Sequence, residues 1–484
     1  MKKNKTLNGL FWSFTDNFLQ QIVNFIVGII LARILLPEEF GIIGIISVFI
    51  AISNTFINCG LSDALINKKD ASENDYNTVF WTNVILGVFI YLFLFATAPH
   101  ISHYFKQKSL TYLIRITAIS IIIISFSSIQ RTQLTKDINF KTITIVSTIS
   151  VIISGIIAIY MATHGYGILS LVVRMVLGQF ITLLLFWVLN NWRPKFIFKI
   201  NSLKELYKYG GNLFISRLIN SIYDNLYYFI IGKYFNPTTL GYYSRADTFK
   251  NLASNNITNT VQRVSFSVLS AKTDEKQQIE LFNKFISGTF FITSFLMTLL
   301  FVCSNEIILI LIGPKWSNSI VYLKILSVSG LFIPLYSLNI NLLAVKNKTR
   351  LNLKIELFSK LFIIPGIIIG IYLGINALLI ISSIGSFLIY LISLYFIKIA
   401  THYIIQDQLK LVLYGCLLFA LSIIFNYEIS FYEINNLYIK LFIKLIIICF
   451  IFLFGLKLLF PELVKSINNY KKQINDTSVL KEVT

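Results

Sequence analysis

The sequence predicts an all-α polytopic membrane protein with about 14 transmembrane helices. Hydrophobic residues make up 56% of its 484 residues and charged residues only 13%. Soluble domains have about 45–50% and about 25% of these two classes. The mean hydropathy is +0.73. Because a soluble fold cannot bury that much apolar side chain, the composition excludes a soluble enzyme, a disordered chain and a nucleic-acid-binding protein.

The elements are apolar stretches separated by short polar loops. A span needs roughly 20 predominantly apolar residues. The first stretch is too long for a signal-peptide core, so we expect it to remain as a spanning helix. The eighth is the least apolar. The predicted spans are 10–36, 41–65, 78–99, 110–130, 142–162, 167–189, 210–235, 240–268, 283–303, 317–345, 354–373, 375–397, 410–426 and 437–460.

Basic residues are concentrated in alternate loops, which predicts the orientation. The loops after the odd-numbered spans hold only Lys106, Lys108 and Lys315. Cytoplasmic loops carry the excess of Lys and Arg. Both termini are therefore predicted to be cytoplasmic, which requires an even number of spans. The basic loops begin with Lys2, Lys3 and Lys5, continue through Lys68, Lys69, Arg131, Lys136, Lys141, Arg193, Lys195, Lys199, Lys204, Lys208, Lys272, Lys276, Lys284, Lys346, Lys348, Arg350, Lys354, Lys398 and Lys410, and end in a tail with Lys465, Lys471, Lys472 and Lys481.

An internal repeat with an offset of 200 residues relates spans 1–2 to spans 7–8. The pattern Arg33, Pro37, Gly41 returns as Lys233, Pro237, Gly241, and polar positions of span 1 return in span 7. Six helices separate the copies, so both insert with the same orientation, which is a parallel repeat. The repeat predicts an N-terminal six-helix lobe (1–208), a C-terminal six-helix lobe (209–400), and two extra helices with a cytoplasmic tail (401–484).

Several classes of site are missing from the sequence. No GxxxxGK[ST] phosphate loop occurs, so we do not expect ATP hydrolysis by this chain. The four cysteines lie in or beside apolar segments and are expected to be buried thiols. His100 and His103 have no evident third ligand, which makes them interface residues. We predict no catalytic site, no metal site and no cofactor.

Charged and amide side chains inside the spans mark the candidate site, because a central charge facing lipid costs roughly 2.5–3.5 kcal/mol. We expect a hydrated cavity with a net positive lining. The planar fork of arginine binds phosphate oxygens in pairs, and amides suit a hydroxyl-rich sugar. The alternative is that these groups only join helices or reach the membrane interface. Candidate substrate-binding residues are Arg217, Lys250, Arg263, Arg174, Arg245, Gln20, Asn24, Asn220, Asn255 and Asn259, and candidate ion-coupling residues are Asp16 and Asp224.

Motifs along about 400 residues resemble one transporter family. The order and spacing together carry the resemblance, since no single motif is decisive. They are Ile30 to Gly41 (ILARILLPEEFG), Gly60-Leu61, Ala64-Leu65-Ile66, Thr78, Phe80-Trp81-x-Asn83, Ala98-Pro99, Gln130-Arg131, Phe140, Gly165-Tyr166-Gly167, Trp192-Arg193-Pro194, Leu240-Gly241-Tyr242-Tyr243 and Gly313-Pro314-Lys315-Trp316. With them the chain resembles the Wzx-type lipopolysaccharide and capsular polysaccharide flippases of the multidrug/oligosaccharidyl-lipid/polysaccharide (MOP) exporter superfamily.

This resemblance implies alternating access of two lobes around a cationic cavity. The expected function is a flippase that carries an undecaprenyl-diphosphate-linked oligosaccharide to the outer leaflet of the bacterial cytoplasmic membrane, for lipopolysaccharide, O-antigen or capsule biosynthesis. The implied partners are that lipid-linked glycan, membrane lipid, a polysaccharide polymerase and glycosyltransferases. The two extra helices would help to form a groove for the polyprenyl tail. An ion gradient or the membrane potential would drive transport.

Three alternatives remain open at this point. A cation-coupled multidrug exporter of the same superfamily should have a less basic cavity. A membrane glycan polymerase or ligase usually needs a sizeable outer loop, and the loops here are short. A structural scaffold would leave the polar stripes and the charged eighth span without a purpose.

Overall fold

The computed structural model describes residues 2–272, 274–401, 403, 405–431 and 436–459. Helix is the regular structure throughout these residues, which hold nineteen α-helices and one short 3-10 helix. The basic tail predicted from the sequence (460–484) lies outside them. The chain divides into two compact units, residues 1–244 and 245–484. The three-part division at 208 and 400 stays a prediction.

The first unit contains ten complete helices and the start of an eleventh. They are α1 (Lys2–Ile34), α2 (Pro37–Asn58), α3 (Leu61–Asn67), α4 (Glu73–Phe105), α5 (Ser109–Thr117), α6 (Ile119–Lys136), α7 (Phe140–Thr163), α8 (Leu169–Leu189), α9 (Ile200–Asp224), α10 (Leu226–Tyr234) and α11 (Pro237–Ala253).

The second unit begins within α11 and contains the remaining helices. They are α12 (Asn255–Ser270), α13 (Glu275–Val302), α14 (Ser304–Leu311), the 3-10 helix Pro314–Trp316, α15 (Asn318–Val345), α16 (Thr349–Leu373), α17 (Ile375–Ala400), α18 (Ile405–Phe431) and α19 (Leu437–Leu459).

Twelve helical stretches of the described residues are long and apolar enough to cross a membrane. They coincide with predicted spans 1–6 and 9–14, which confirms a multi-span membrane protein. The other two predicted spans correspond to α9–α10 and α11–α12. The breaks lie at Asn225 and Ser254, and α11 and α12 have only 17 and 16 residues. The polar residues of these segments lower their hydropathy, so the count of fourteen stays a prediction.

The repeated turns lie at matching residues. Helix α1 ends at Ile34 and α2 begins at Pro37, whereas α10 ends at Tyr234 and α11 begins at Pro237. Proline suits the first helical position because its missing N–H has no partner there in any case. The Glu39 side chain also accepts a hydrogen bond from the backbone N–H of Leu36 (2.7 Å). The 200-residue offset seen in the sequence therefore relates two matching helix–turn–helix elements.

A buried apolar cluster holds α3, α4, α6 and α9 together in the first unit. Its fully buried members include Leu65, Phe80 and Ile129, and Leu206 of α9 packs on the same cluster. The indole N–H of Trp81 donates a hydrogen bond to the carbonyl of Lys195 (2.8 Å). This bond attaches the loop before α9 to α4. This packing fixes the first turns of α9 against α3. It thereby positions Arg217, which lies further along α9.

Apolar and polar contacts attach the two last helices to the second unit. The Phe452 ring of α19 lies edge-on to Phe295 of α13, with ring centroids 5.3 Å apart. In α18, Gln408 is fully buried and exchanges hydrogen bonds with Asn339 of α15 (2.9 Å and 3.4 Å). Since both kinds of contact are buried, α18 and α19 are integral parts of this unit.

Candidate functional site

A polar stripe runs along α1 and meets an arginine of α8. Asp16 is 8% exposed, and its carboxylate accepts a hydrogen bond from Gln20 Nε2 (2.8 Å). One turn further, Asn24 Oδ1 accepts from Arg174 Nη2 (2.7 Å). The spacing of four residues places all three α1 side chains on one helix face. The structure thus brings Gln20, Asn24 and Arg174 of the predicted set together.

Arg217 of α9 forms an ion pair with Asp63 of α3. Its Nη2 lies 3.0 Å from Asp63 Oδ1, and Nη1 contacts the second carboxylate oxygen. The two side chains are 52% and 25% exposed, so the arginine remains accessible. Asn220 and Asp224 are exposed on the following turns of α9. Asp63 was not among the predicted site residues.

A hydrogen-bonded chain of side chains surrounds Lys250 at the break between α11 and α12. Lys250 Nζ donates to Asp247 (2.6 Å), whose other oxygen accepts from Asn251 (2.9 Å). Asn251 in turn accepts from Asn255 (2.8 Å). The Ser254 hydroxyl, at the break, donates to the carbonyl of Gly330 on α15 (2.8 Å). The ion pair compensates the ammonium charge, which a buried lysine requires.

Three further predicted residues lie on α11 and α12. Arg263 and Asn259 lie on the exposed face of α12, and Arg245 is half-buried in α11. An exposed arginine on a helix of this polarity has both its charge and its five N–H donors available to a ligand. Arg263 and Asn259 are therefore the exposed members of the predicted set on α12.

Sequence reasoning missed a buried ion pair between α14 and α19. Lys444 Nζ lies 2.8 Å from Glu306 Oε1, and the two side chains are 7% and 0% exposed. Lys444 also donates to the carbonyl of Val302 (3.2 Å), at the end of α13. A lysine within an apolar span normally has a specific partner. Lys444 inside the predicted span 437–460 was that signal, although its partner is 138 residues away.

A second group of ion pairs ties the start of α9 to the segment between α3 and α4. Lys68 Nζ lies 2.9 Å from Glu205 on α9 and 3.2 Å from Asp75 at the start of α4. The hydrogen bond to Glu205 raises the pKa of the Lys68 ammonium above its ordinary value. These groups lie in the loops predicted to be cytoplasmic, and we expect them to hold helix ends.

The described residues contain no group of three His, Cys, Asp or Glu side chains placed to hold a metal ion. All four cysteines are free thiols, but only Cys303 is buried: Cys59 and Cys449 are half-buried and Cys416 is exposed, so the expectation of four buried thiols was wrong for these three. The candidate site contains cationic and amide hydrogen-bond donors with compensating carboxylates. Such groups can bind an anionic, hydroxyl-rich ligand without changing it covalently.

The sequence is similar to those of bacterial polysaccharide biosynthesis proteins. The chain is 27% identical to the teichuronic acid biosynthesis protein TuaB of Bacillus subtilis (strain 168), over 61% of this chain and 62% of TuaB. It is 23% identical to the lipopolysaccharide biosynthesis protein WzxC of Escherichia coli (strain K12), over 76% of this chain and 75% of WzxC. The match thus spans slightly under two thirds of TuaB and three quarters of WzxC.

A solved structure has the same fold. The lipid II flippase MurJ, in an inward closed conformation, matches with a TM-score of 0.76 and 20% identity, over 94% of this chain and 99% of MurJ. A family model described as polysaccharide biosynthesis protein matches residues 30–321, which is more than half of the chain. The chain therefore belongs to the polysaccharide biosynthesis protein family.

Proposed function

We propose that this protein is a flippase for a lipid-linked oligosaccharide, carried on undecaprenyl diphosphate. It moves the glycan from the cytoplasmic to the outer leaflet of the bacterial cytoplasmic membrane by alternating access, for lipopolysaccharide, O-antigen or capsule biosynthesis. Membership of the polysaccharide biosynthesis family and the fold shared with a lipid II flippase support this proposal.

The observation that carries the proposal is that three basic side chains of the helices each bond to an oxygen-bearing side chain. Arg174 bonds to an amide, and Arg217 and Lys250 pair with carboxylates. Each partner presents oxygen to the cation, as a phosphate does. A diphosphate can replace such oxygens, and the two arginines can bind its oxygens in pairs. Arg245 and Arg263 supply further positive charge on α11 and α12.

Amide side chains supply the contacts for the sugars. Gln20 and Asn24 on α1, Asn220 on α9, and Asn255 and Asn259 on α12 carry both donors and acceptors. An amide can therefore bond a sugar hydroxyl in either role. Binding of a glycan next to a diphosphate explains why the most polar helices of an otherwise apolar protein carry amides beside their cations.

Asp16 and Asp224 are the proposed ion-coupling residues. Carboxylates in membrane helices mark ion or proton pathways. Asp16 is buried and bonded to Gln20, whereas Asp224 is exposed at the end of α9. Both termini would face the cytoplasm, where basic loops are retained. The polymerase and glycosyltransferases of the pathway are the expected partners.

The test is mass spectrometry of the lipids of a strain that lacks this gene. We expect an undecaprenyl-diphosphate-linked oligosaccharide to accumulate and to be shielded from an impermeant label added outside the cell. An accumulated lipid that the label reaches would place the block after flipping and would favour a polymerase. If no lipid-linked glycan changed, the flippase assignment would be wrong, and export of a cationic dye would be the next measurement.

A further inference from the structure

The contact between α3 and α9 includes a close crossing of their backbones beside the ion pair of Arg217. Only Leu206 and Gly210 of α9 are buried. The backbones cross at two glycines: a Cβ on Gly60 would lie 2.1 Å from the carbonyl oxygen of Gly210. Gly60 has φ +69°, which glycine adopts without a steric cost. The helices thus meet through backbone at the two glycines and through the apolar cluster that includes Leu206.

Arg217 and Asp63 follow the two glycines along the chain and form an ion pair. The rings of Phe214 on α9 and Phe56 on α2 are in edge contact, with centroids 5.3 Å apart. Arg217 is seven residues along α9 from Gly210, which corresponds to about 10 Å along the helix axis. It therefore lies well inside the predicted span 210–235. A charged side chain within a span is stabilised by an opposite charge, and Asp63 supplies that charge to Arg217.

We infer that Asp63 is a substitute anion that holds Arg217 when the diphosphate of the substrate is absent. Its carboxylate offers Arg217 a pair of oxygens, as a phosphate does. It neutralises the guanidinium while the protein without substrate returns to its inward-facing state. When the substrate arrives, Arg217 exchanges Asp63 for the diphosphate. The crossing of Gly60 and Gly210 then loses its neighbouring ion pair and separates more readily.

This inference rests on the proposed function, because it requires an anionic lipid ligand at Arg217. Asp63 would be a positioning residue that acts through Arg217 and does not contact the substrate. The pair is partly exposed, and such pairs contribute about 0.2–1 kcal/mol. Removing the Asp63 carboxylate, which competes with the diphosphate for Arg217, should therefore tighten binding by about 1.4- to fivefold.

The experiment measures binding of undecaprenyl diphosphate to the full-length protein in nanodiscs, with undecaprenol as the uncharged reference. We expect Asp63→Asn to lower the Kd for the diphosphate by about 1.4- to fivefold and to leave the Kd for undecaprenol unchanged. Asp63→Glu should restore the original Kd. In an Arg217→Gln background, Asp63→Asn should have no effect on the Kd, because the carboxylate acts through Arg217. If the carboxylate instead repelled the diphosphate directly, Asp63→Asn would still lower the Kd in that background. Glu73→Gln is the matched control, because Glu73 pairs with Lys195 instead.

Cross-linking measures how close α9 stays to the end of α2, which lies just before Gly60. In a variant without the native cysteines, Phe56→Cys and Phe214→Cys should be joined by a short bismaleimide, with a lower yield when undecaprenyl diphosphate is added or when Asp63→Asn is present. If the wild type binds the diphosphate but Asp63→Asn behaves like Glu73→Gln, this inference is overturned and the proposed function stands. If the wild type does not distinguish undecaprenyl diphosphate from undecaprenol, both are overturned.

Discussion

Gly41 and Gly241 each lie against the proline that begins the other's helix. A Cβ on Gly41 would lie 1.7 Å from the carbonyl oxygen of Pro237, and a Cβ on Gly241 would lie 1.8 Å from that of Pro37. The two glycines occupy equivalent positions of the 200-residue repeat. The repeated turns therefore do more than resemble each other, because they cross reciprocally and only glycine permits the crossing.

Gly41→Ala should abolish this crossing. The added methyl group would meet a backbone carbonyl, which cannot move aside as a flexible side chain can. Overpacking of this kind costs about 1–3 kcal/mol, so we expect a lower melting temperature of the purified protein and slower flipping. Thermal unfolding followed by tryptophan fluorescence measures the first effect.

Gly288→Ala is the control for that variant, since nothing lies within 4 Å of a Cβ at Gly288. It should unfold and transport like the wild type. Gly44→Ala should have a smaller effect than Gly41→Ala, because its Cβ would meet side chains and no backbone, those of Leu240 at 3.2 Å and Tyr228 at 3.4 Å. Equal melting temperatures for Gly41→Ala and the wild type would contradict the reciprocal crossing.

Lys444→Met should destabilise the protein strongly. The substitution leaves the Glu306 carboxylate fully buried without its 2.8 Å partner. Removing one member of a buried pair costs about 3–5 kcal/mol, whereas replacing both members is often neutral. The double variant Glu306→Gln, Lys444→Met should therefore recover most of the lost thermal stability.

Lys457→Met provides the comparison on the same helix, because Lys457 is exposed in the last turn of α19. It should leave the melting temperature unchanged. If the single and the double variant of the buried pair lost the same stability, the ion pair would not be what attaches α19 to α14.

Arg263→Ala should slow flipping at an unchanged protein level. The side chain is exposed on α12, so its loss leaves no buried group without a partner. A hydrogen bond to a charged group contributes about 1.5–3 kcal/mol, which corresponds to a decrease of about tenfold or more. Lys284→Ala, which removes an exposed lysine paired with Glu280, should flip at the wild-type rate.

Lys250 needs a second substitution to give an interpretable result. Lys250→Ala leaves Asp247 buried without its cation, so lower flipping could follow from lower stability. The double variant Asp247→Asn, Lys250→Gln removes both charges and keeps hydrogen-bonding groups. Full-rate flipping by this variant and by Arg263→Ala would show that neither cation binds the diphosphate.

Local patterns predicted those parts of the fold that local chemistry determines. Apolar stretches located twelve spans, and Pro37 and Pro237 located the repeated turns, since proline fixes where a helix begins. The helix breaks at Asn225 and Ser254 had no such marker. At Ser254 the break is stabilised by a bond to Gly330, 76 residues away, which no local pattern shows.

The partners of the candidate site residues were predictable only when both lay on one helix. Asp247 and Lys250 are three residues apart, so their pairing follows from helix geometry. Asp63 and Arg217 are separated by 154 residues, and although Asp63 is a charged residue within the predicted span 41–65, no local pattern connects it with Arg217. Tertiary packing of α9 on α3 brings them together, and this packing depends on two glycines whose role appears only in three dimensions.

Asp16→Asn should uncouple flipping from the ion gradient. The amide oxygen can still accept the hydrogen bond from Gln20, so the local geometry of α1 is kept while the charge is lost. In proteoliposomes with an imposed proton or sodium gradient, the wild type should flip faster than without it. The variant should flip at one rate under both conditions, with Asp70→Asn in the exposed loop before α4 as the control. A gradient response retained by Asp16→Asn and lost by Asp224→Asn would transfer the coupling role to the carboxylate at the end of α9, and a response retained by both would exclude the two residues together.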